Sequence, residues 1–182
     1  MSDQPHSTTT KIVTVVQGDY FVSSDPDVVI STVLGSCVSV CLYDPVAGVG
    51  GMNHFLLATQ CDTNSTDLKY GVNALELLIN RVLQAGAKRE RLQAKLFGGA
   101  RITDHSRDIG NSNADFAIQF LEREGITCVS QSLRGEKARR VRFHPTTGAA
   151  KLLQIANTPQ IDEPFTPQNV PVTDITLFYD IK

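Results

Sequence analysis

The sequence predicts an α+β fold, a single domain built as a mixed β-sandwich flanked by helices. The chain has 182 residues, which is enough for one domain with a substantial core. Short β-branched runs bounded by Gly, Pro and Asp turn signals recur along it, whereas two stretches carry helical apolar spacing. We see no internal repeat, low-complexity tract or interdomain linker in it. Many strands with two solid helices favour packed sheets covered by helices.

The N-terminal half is predicted to consist mainly of strands. Residues 1–10 are polar and predict a mobile tail, so the domain itself is expected over 11–156. Strand patterns cover 11–16, 28–33 and the two arms of a hairpin that turns at 44–47 and ends near residue 57. The polar stretch 58–67 predicts an exposed loop.

The C-terminal half alternates helix and strand patterns. Apolar residues at helical spacing predict one helix around 72–83, before Gly86, and a second over about 113–124, capped by Gly125. The remaining strand patterns lie at 92–97, 126–133, 139–144, 149–155 and 175–179. The Pro-rich segment 157–182 is expected to be an extension that packs on the domain.

Composition excludes several functional classes. The net charge is −2, with 41% apolar and 20% charged residues, so no global field attracts nucleic acid or an anionic membrane. No apolar run approaches the roughly 20 residues that a membrane-spanning helix needs. The N-terminus lacks the basic start and apolar centre of a signal peptide, and four cysteines in such a chain favour free thiols. We therefore expect a cytoplasmic protein with no nucleic-acid partner and no membrane insertion.

Cys37 and His54 are the leading candidates for a reactive pair. They lie on two apolar segments, 31–43 and 50–55, on either side of the turn signal. If the chain reverses at 44–47, counting sets Cys37 directly opposite His54, where Cβ atoms are roughly 4.5–5.5 Å apart. A thiol beside a base is the minimal equipment for nucleophilic acyl chemistry, and the imidazole would lower the thiol pKa.

A hydroxyl group is the natural third member, because it could accept the second imidazole N–H. Period-two alternation puts Ser31 on the same face as Cys37. Thr32 would point away unless Gly35 introduces a bulge, so one irregularity would exchange the two hydroxyls. Gly35 and Ser36 also leave the backbone before the cysteine open to an approaching substrate.

Each candidate also has a purely structural interpretation. Free cysteine is a common buried small hydrophobe, and a single histidine among apolar residues is commonly structural. A zinc site with Cys41 and Cys61 is disfavoured, because four residues of strand separate Cys37 and Cys41 by roughly 13 Å. Zinc-bound sulfurs must lie within about 4 Å of each other. We expect no metal and no cofactor, with Cys41 and Cys128 in the core and Cys61 in a loop.

Segment 97–100, Phe-Gly-Gly-Ala, follows a predicted buried strand. It could let backbone pass close to a substrate or supply N–H groups to an oxyanion. A tight turn after a strand explains the same residues.

Four segments together resemble the CheD family of chemoreceptor glutamine deamidases. They are 34–45 (Leu-Gly-Ser-Cys-Val-Ser-Val-Cys-Leu-Tyr-Asp-Pro), 50–55 (Gly-Gly-Met-Asn-His-Phe), 70–74 (Tyr-Gly-Val-Asn-Ala) and 97–100. The resemblance runs from about residue 12 to 155. It implies the CheD-like cysteine hydrolase fold, in which a cysteine, a histidine and a threonine act together. Cys37 and His54 match the first two, and the threonine position is Ser31, with Thr32 beside it.

The resemblance also implies an activity. A cysteine hydrolase of this family converts selected glutamine side chains on chemoreceptor cytoplasmic helices to glutamate, with release of ammonia and a role in adaptation. A CheC-type phosphatase is the regulatory partner that the family implies. Two alternatives stay open: another Cys–His acyl enzyme, such as a transglutaminase-like transferase, and a non-enzymatic adaptor on the same fold.

Overall fold

The computed structural model describes residues 10–57, 66–102, 107–155 and 175–178. In this part of the chain, ten strands form two five-stranded sheets, accompanied by two α-helices and one 3₁₀ turn. The strands are β1 (Lys11–Thr14), β2 (Tyr20–Ser23), β3 (Val28–Leu34), β4 (Val38–Asp44), β5 (Val49–Asn53), β6 (Gln93–Gly98), β7 (Thr127–Leu133), β8 (Ala138–Phe143), β9 (Ala150–Ile155) and β10 (Ile175–Phe178). The helices are α1 (Thr66–Gln84), α2 (Arg107–Arg123) and the 3₁₀ turn Arg89–Arg91.

Both sheets are mixed. The first has the order β1-β3-β8-β9-β10 and the second the order β2-β5-β4-β6-β7. Strands β1 and β3 run parallel, as do β6 and β7, and every other neighbouring pair is antiparallel. The predicted α+β class, a mixed β-sandwich flanked by helices, is confirmed.

The second sheet is the middle layer of the molecule. Along β4, Val38, Val40 and Leu42 belong to the apolar cluster that α1 and α2 complete. Cys41 and Tyr43, on the alternate positions, face the cluster between the two sheets. Both faces of the sheet are therefore buried at β4, which explains why β4 has no exposed residue.

The chain crosses from one sheet to the other immediately before the predicted nucleophile. Strand β3 ends at Leu34 in the first sheet and β4 begins at Val38 in the second. The crossing takes the three residues 35–37. Because β3 and β4 belong to different sheets, the period-two alternation of β3 does not continue to Cys37.

The hairpin register differs by two residues from the prediction. Asp44 lies opposite Val49, and the pairing continues to a bridge between Val38 and Phe55. His54 is therefore not directly opposite Cys37. The turn closes later than expected because Gly48, with φ of +62°, takes the left-handed position and donates its N–H to the Asp44 carbonyl at 3.0 Å.

Several element boundaries also differ from the prediction. Strand β2 was not predicted, and α2 begins at Arg107, six residues before the predicted start. Helix α1 begins at Thr66, inside the predicted loop, of which residues 58–65 lie outside the described part of the chain. Residues 1–9 of the predicted tail and most of the extension also lie outside the described part of the chain. Of the extension only β10 is described, paired with β9.

None of the described helices is both long and apolar enough to cross a membrane.

The turn between β4 and β5 is built on a buried carboxylate. The Asp44 side chain accepts the N–H groups of Val46 at 2.9 Å and Ala47 at 3.1 Å, and it pairs with Arg91 at 2.7 Å. It also accepts the Lys88 N–H at 2.9 Å. Burial opposes ionisation, but these hydrogen bonds prevail and hold the Asp44 pKa well below its usual range.

Candidate active site

Thr32, Cys37 and His54 lie where the two sheets face each other. Thr32 lies on β3 of the first sheet, whereas His54 follows β5 in the second. Cys37 lies on the crossing between them and packs against the cluster between the sheets. The site therefore draws on both halves of the sandwich.

Thr32 fixes the orientation of the His54 ring. Its Oγ1 lies 2.9 Å from His54 Nδ1 and donates a hydrogen bond to the Val15 carbonyl at 2.7 Å. A threonine hydroxyl has one proton, and Thr32 uses it in the hydrogen bond to the Val15 carbonyl. Thr32 Oγ1 therefore accepts a hydrogen bond from His54 Nδ1–H. This tautomer leaves His54 Nε2 with a free lone pair. Nε2 is buried and has no partner in the described part of the chain.

Ser31 does not occupy the position that we predicted. Within β3, Val28, Ile30 and Leu34 face the other sheet, which puts Thr32 on the inner face and Ser31 on the outer one. The prediction extended the alternation of β3 through to Cys37. The crossing at 35–37 breaks that alternation, so Thr32 and not Ser31 contacts His54.

Cys37 and His54 share one face of the second sheet. Val38 and Phe55 exchange backbone hydrogen bonds of 3.0 and 2.9 Å, and both belong to the cluster under the helices. The preceding residues, Cys37 and His54, therefore point to the opposite face as diagonal neighbours. Diagonal neighbours lie roughly 7–8 Å apart, a separation that longer side chains and rings can bridge.

The resting thiol of Cys37 is neutral. Burial raises its pKa to about 11, and its own backbone amide offsets this only in part. Burial likewise lowers the His54 pKa, against a hydrogen-bonding contribution from Val15. The expectation that His54 lowers the Cys37 pKa is therefore wrong for the resting state. Both the thiol and the imidazole are therefore uncharged in the resting state.

The Phe-Gly-Gly-Ala segment holds the backbone around the thiol. Gly99 donates its N–H to the Cys37 carbonyl and Ala100 donates to the Gly35 carbonyl, both at 2.8 Å. A Cβ on Gly98 would lie 2.1 Å from the Cys37 oxygen, and Gly98 has φ of +114°. The glycines are thus required for close approach, and the two N–H groups are used on this backbone and not on an oxyanion.

Asn113 is a positioning residue that the sequence reasoning missed. Its buried Oδ1 accepts the Leu57 N–H at 2.7 Å, and its Nδ2 donates to the Ile109 carbonyl at 2.8 Å. Nδ2 also lies 3.4 Å from the carbonyls of Ser36 and Leu57. One side chain of α2 thus connects the segments next to Cys37 and His54. A polar residue on the apolar face of a helix was the available signal.

The other cysteines take no part in this site. Cys41 is fully buried, as predicted. Cys128 is exposed, and the prediction that it lies in the core is wrong because β7 is the outermost strand of its sheet. Cys61 lies outside the described residues. Among the residues that the structure describes, no group of three His, Cys, Asp or Glu side chains could hold a metal ion.

Comparisons with known proteins identify the family of the chain. The family model "CheD chemotactic sensory transduction" matches residues 56–154. A protein of Ruegeria sp. named "Probable chemoreceptor glutamine deamidase CheD 1" is 52% identical over 85% of this chain and 82% of its own. Its namesakes of Agrobacterium fabrum (52% identity, 78% of each chain) and Caulobacter vibrioides (48%, 91% of this chain and 92% of its own) are similar.

Among solved structures, a crystal structure of a Neisseria meningitidis protein aligns with a TM-score of 0.47 and 11% identity. The alignment covers 69% of this chain and 64% of that one. The family resemblance seen in the sequence rests on four segments, and the chain shares about half of its residues with these relatives over most of their length. The chain belongs to the CheD family.

Proposed function

We propose that this protein is a chemoreceptor glutamine deamidase that uses Cys37 as nucleophile, His54 as general base and Thr32 as the residue that orients His54. The observation that carries the proposal is the chain of hydrogen bonds from His54 through Thr32 to Val15. It leaves Nε2 as an acceptor on the face of the sheet that also presents the Cys37 thiol. The curated relatives named above bear the name of this activity.

The first half of the reaction transfers the acyl group to the enzyme. His54 Nε2 takes the Cys37 thiol proton as Sγ forms a bond to the glutamine Cδ. Charge develops on the carbonyl oxygen, and the Cys37 amide, which lies against its own thiol, is a donor for it. The imidazolium then gives its proton to the nitrogen. The C–N bond breaks, ammonia leaves and a thioester remains.

The second half restores the enzyme. His54 Nε2 takes a proton from water, and the resulting hydroxide attacks the thioester carbon. The C–S bond breaks, the Cys37 sulfur takes back the proton and the side chain leaves as glutamate. In both halves, His54 Nε2 must accept a proton and then donate it, while Nδ1 stays protonated. The hydrogen bond from Nδ1–H to Thr32 maintains this tautomer of His54.

The proposed substrates are glutamines on the cytoplasmic helices of chemoreceptors. Conversion of glutamine to glutamate changes the charge of such a helix and creates a methyl-acceptor carboxylate. Both effects connect the reaction to adaptation in chemotaxis.

The test is peptide mass spectrometry of a chemoreceptor cytoplasmic fragment incubated with the protein. We expect glutamine-to-glutamate conversion and ammonia release with the wild type and with Cys128→Ala, a control that removes an exposed cysteine. Cys37→Ala and His54→Ala should give neither product. Formation of an N-substituted glutamine in the presence of an added amine would instead identify a transferase, and full chemotactic adaptation of cells that carry Cys37→Ala would identify an adaptor.

A further inference from the structure

A loop over the candidate site, residues 15–19, connects the two sheets and is bound to the site on both sides. The Val15 carbonyl accepts the Thr32 hydroxyl, and Gly18 donates its N–H to the His54 carbonyl at 2.8 Å. His54 in turn donates its backbone N–H to the Asp19 carbonyl at 3.0 Å. The backbone of this loop is therefore fixed relative to the base.

Gln17, in the same loop, places its carboxamide on the nucleophile. The Cys37 thiol donates to Gln17 Oε1, with Sγ and Oε1 separated by 3.6 Å. Gln17 is exposed and Cys37 is half-buried. The side chain that covers the sulfur thus comes from the surface, and its rotation requires no change in the fixed backbone on either side of it.

We propose that Gln17 is an internal substrate mimic, whose carboxamide occupies the position that the target glutamine takes during catalysis. The inference rests on the proposed deamidase function and deepens it. The group on the thiol is a primary carboxamide, the same functional group that the reaction consumes. A substrate glutamine must displace Gln17 before its own Cδ can reach the sulfur.

The contact also explains why Gln17 is held and not hydrolysed. The thiol donates to the carbonyl oxygen, which is a hydrogen-bond arrangement and not an attack on the carbon. A thiol that donates is protonated, so Gln17 favours the neutral form of Cys37. The resting enzyme then has an unreactive nucleophile. Because Gln17 competes with the substrate glutamine for the thiol, it raises the KM, most strongly for glutamines that bind weakly.

The test compares Gln17→Ala, Gln17→Glu and the control Gln131→Ala. Gln131 is an exposed glutamine on β7, two strands away from β4. The first readout is the rate of Cys37 alkylation by iodoacetamide as a function of pH, with Cys128 as an internal reference. This readout needs no receptor substrate, and it follows access to the thiol and its thiolate fraction.

We expect Cys37 in Gln17→Ala to be alkylated several-fold faster than in the wild type at neutral pH. Gln17→Glu places a carboxylate beside the thiol, so its alkylation profile should move to higher pH. The second readout is deamidation of the receptor fragment, where Gln17→Ala should lower KM several-fold and leave kcat nearly unchanged. Gln131→Ala should match the wild type in both measurements.

Unchanged Cys37 alkylation and unchanged KM in Gln17→Ala would overturn the proposal. A loss of kcat in Gln17→Ala would also overturn it, since Gln17 would then assist the reaction. If no variant deamidates the receptor fragment while Gln17→Ala still accelerates alkylation, the proposed function fails. The role of Gln17 as the cover of the thiol would stand in that case.

Discussion

Thr32 and His54 are joined by a 2.9 Å contact that spans the two sheets of the sandwich. The hydroxyl comes from β3, an interior strand of the first sheet, and the imidazole follows β5 of the second. Both side chains are buried, so the contact has no competition from bulk water. A histidine oriented in this way keeps one tautomer without a carboxylate partner.

Removal of the Thr32 hydroxyl should slow the reaction while it preserves the fold. Thr32→Val keeps the shape of the side chain but cannot accept from His54 Nδ1. We expect kcat to fall about 10- to 100-fold, which is about 1.4–2.7 kcal/mol of transition-state stabilisation. Steady-state deamidation kinetics with a receptor fragment would measure this fall in kcat.

Two variants control this prediction. Thr32→Ser keeps the hydroxyl and should retain most of the activity, whereas Ser31→Ala alters the outer face of β3 and should leave kcat unchanged. A large loss in Ser31→Ala together with an active Thr32→Val would contradict the assignment of Thr32.

The pH dependence of kcat/KM should have one acidic limb. Burial lowers the His54 pKa below its usual value of about 6.5, and in the proposed mechanism His54 must be neutral to accept the thiol proton. The rate should therefore rise with pH below 6.5 and stay level from about pH 7 to 9, because burial raises the Cys37 pKa to about 11. A fall in rate between pH 7 and 9 would instead indicate a thiolate–imidazolium pair in the free enzyme.

Gly98→Ala should abolish activity by displacing Cys37, the proposed nucleophile. The new Cβ would lie 2.1 Å from the Cys37 carbonyl oxygen, so the backbone of the crossing must move. Gly48→Ala is the matched control, because Gly48 also has a positive φ but no atom lies within 4 Å of its added Cβ. Both variants should be less stable by about 1 kcal/mol or more from backbone strain. Only Gly98→Ala should lose turnover when kcat is compared well below the melting temperature.

Asp44→Ala should destabilise the hairpin that carries the site. At pH 7 we expect a loss of about 3 kcal/mol in the free energy of unfolding, since a buried carboxylate with several donors is removed. The folded-state pKa of Asp44 is lowered, so its stabilisation is present above the unfolded value of about 3.9 and is lost as pH falls below it.

Denaturant titrations at several pH values would show this as a difference between wild type and Asp44→Ala that shrinks in acid. Asp25→Asn is the control, because its pair with Lys11 is exposed and should contribute little at any pH. A difference that stays constant from pH 7 to pH 3 would contradict the role of the Asp44 charge.

Local patterns in the sequence predicted the elements well, because period and turn signals are properties of short segments. The β8–β9 hairpin and both helices follow from them. The pairing across the β4–β5 turn did not follow as reliably. It depends on which residue closes the turn, and Gly48 extends the turn beyond 44–47.

The identity of the hydroxyl partner could not be predicted from β3 alone. Alternation selects Ser31 only if one strand continues to Cys37, and the change of sheet at 35–37 is determined by tertiary packing. The contacts of Gln17 and Asn113 are likewise long-range, spanning 20 residues to Cys37 and 56 to Leu57. No local pattern contains such pairings.

The crossing at 35–37 has a consequence for how this protein can fail. A chain in which each sheet had formed but the two had separated would keep nearly all its strand pairing, and circular dichroism would report it as native. It would nevertheless lack the contact that orients His54, since Thr32 would lie in the separated sheet. Catalytic turnover therefore reports whether the two sheets are packed against each other. Under mildly denaturing conditions, activity should be lost before the strands unfold.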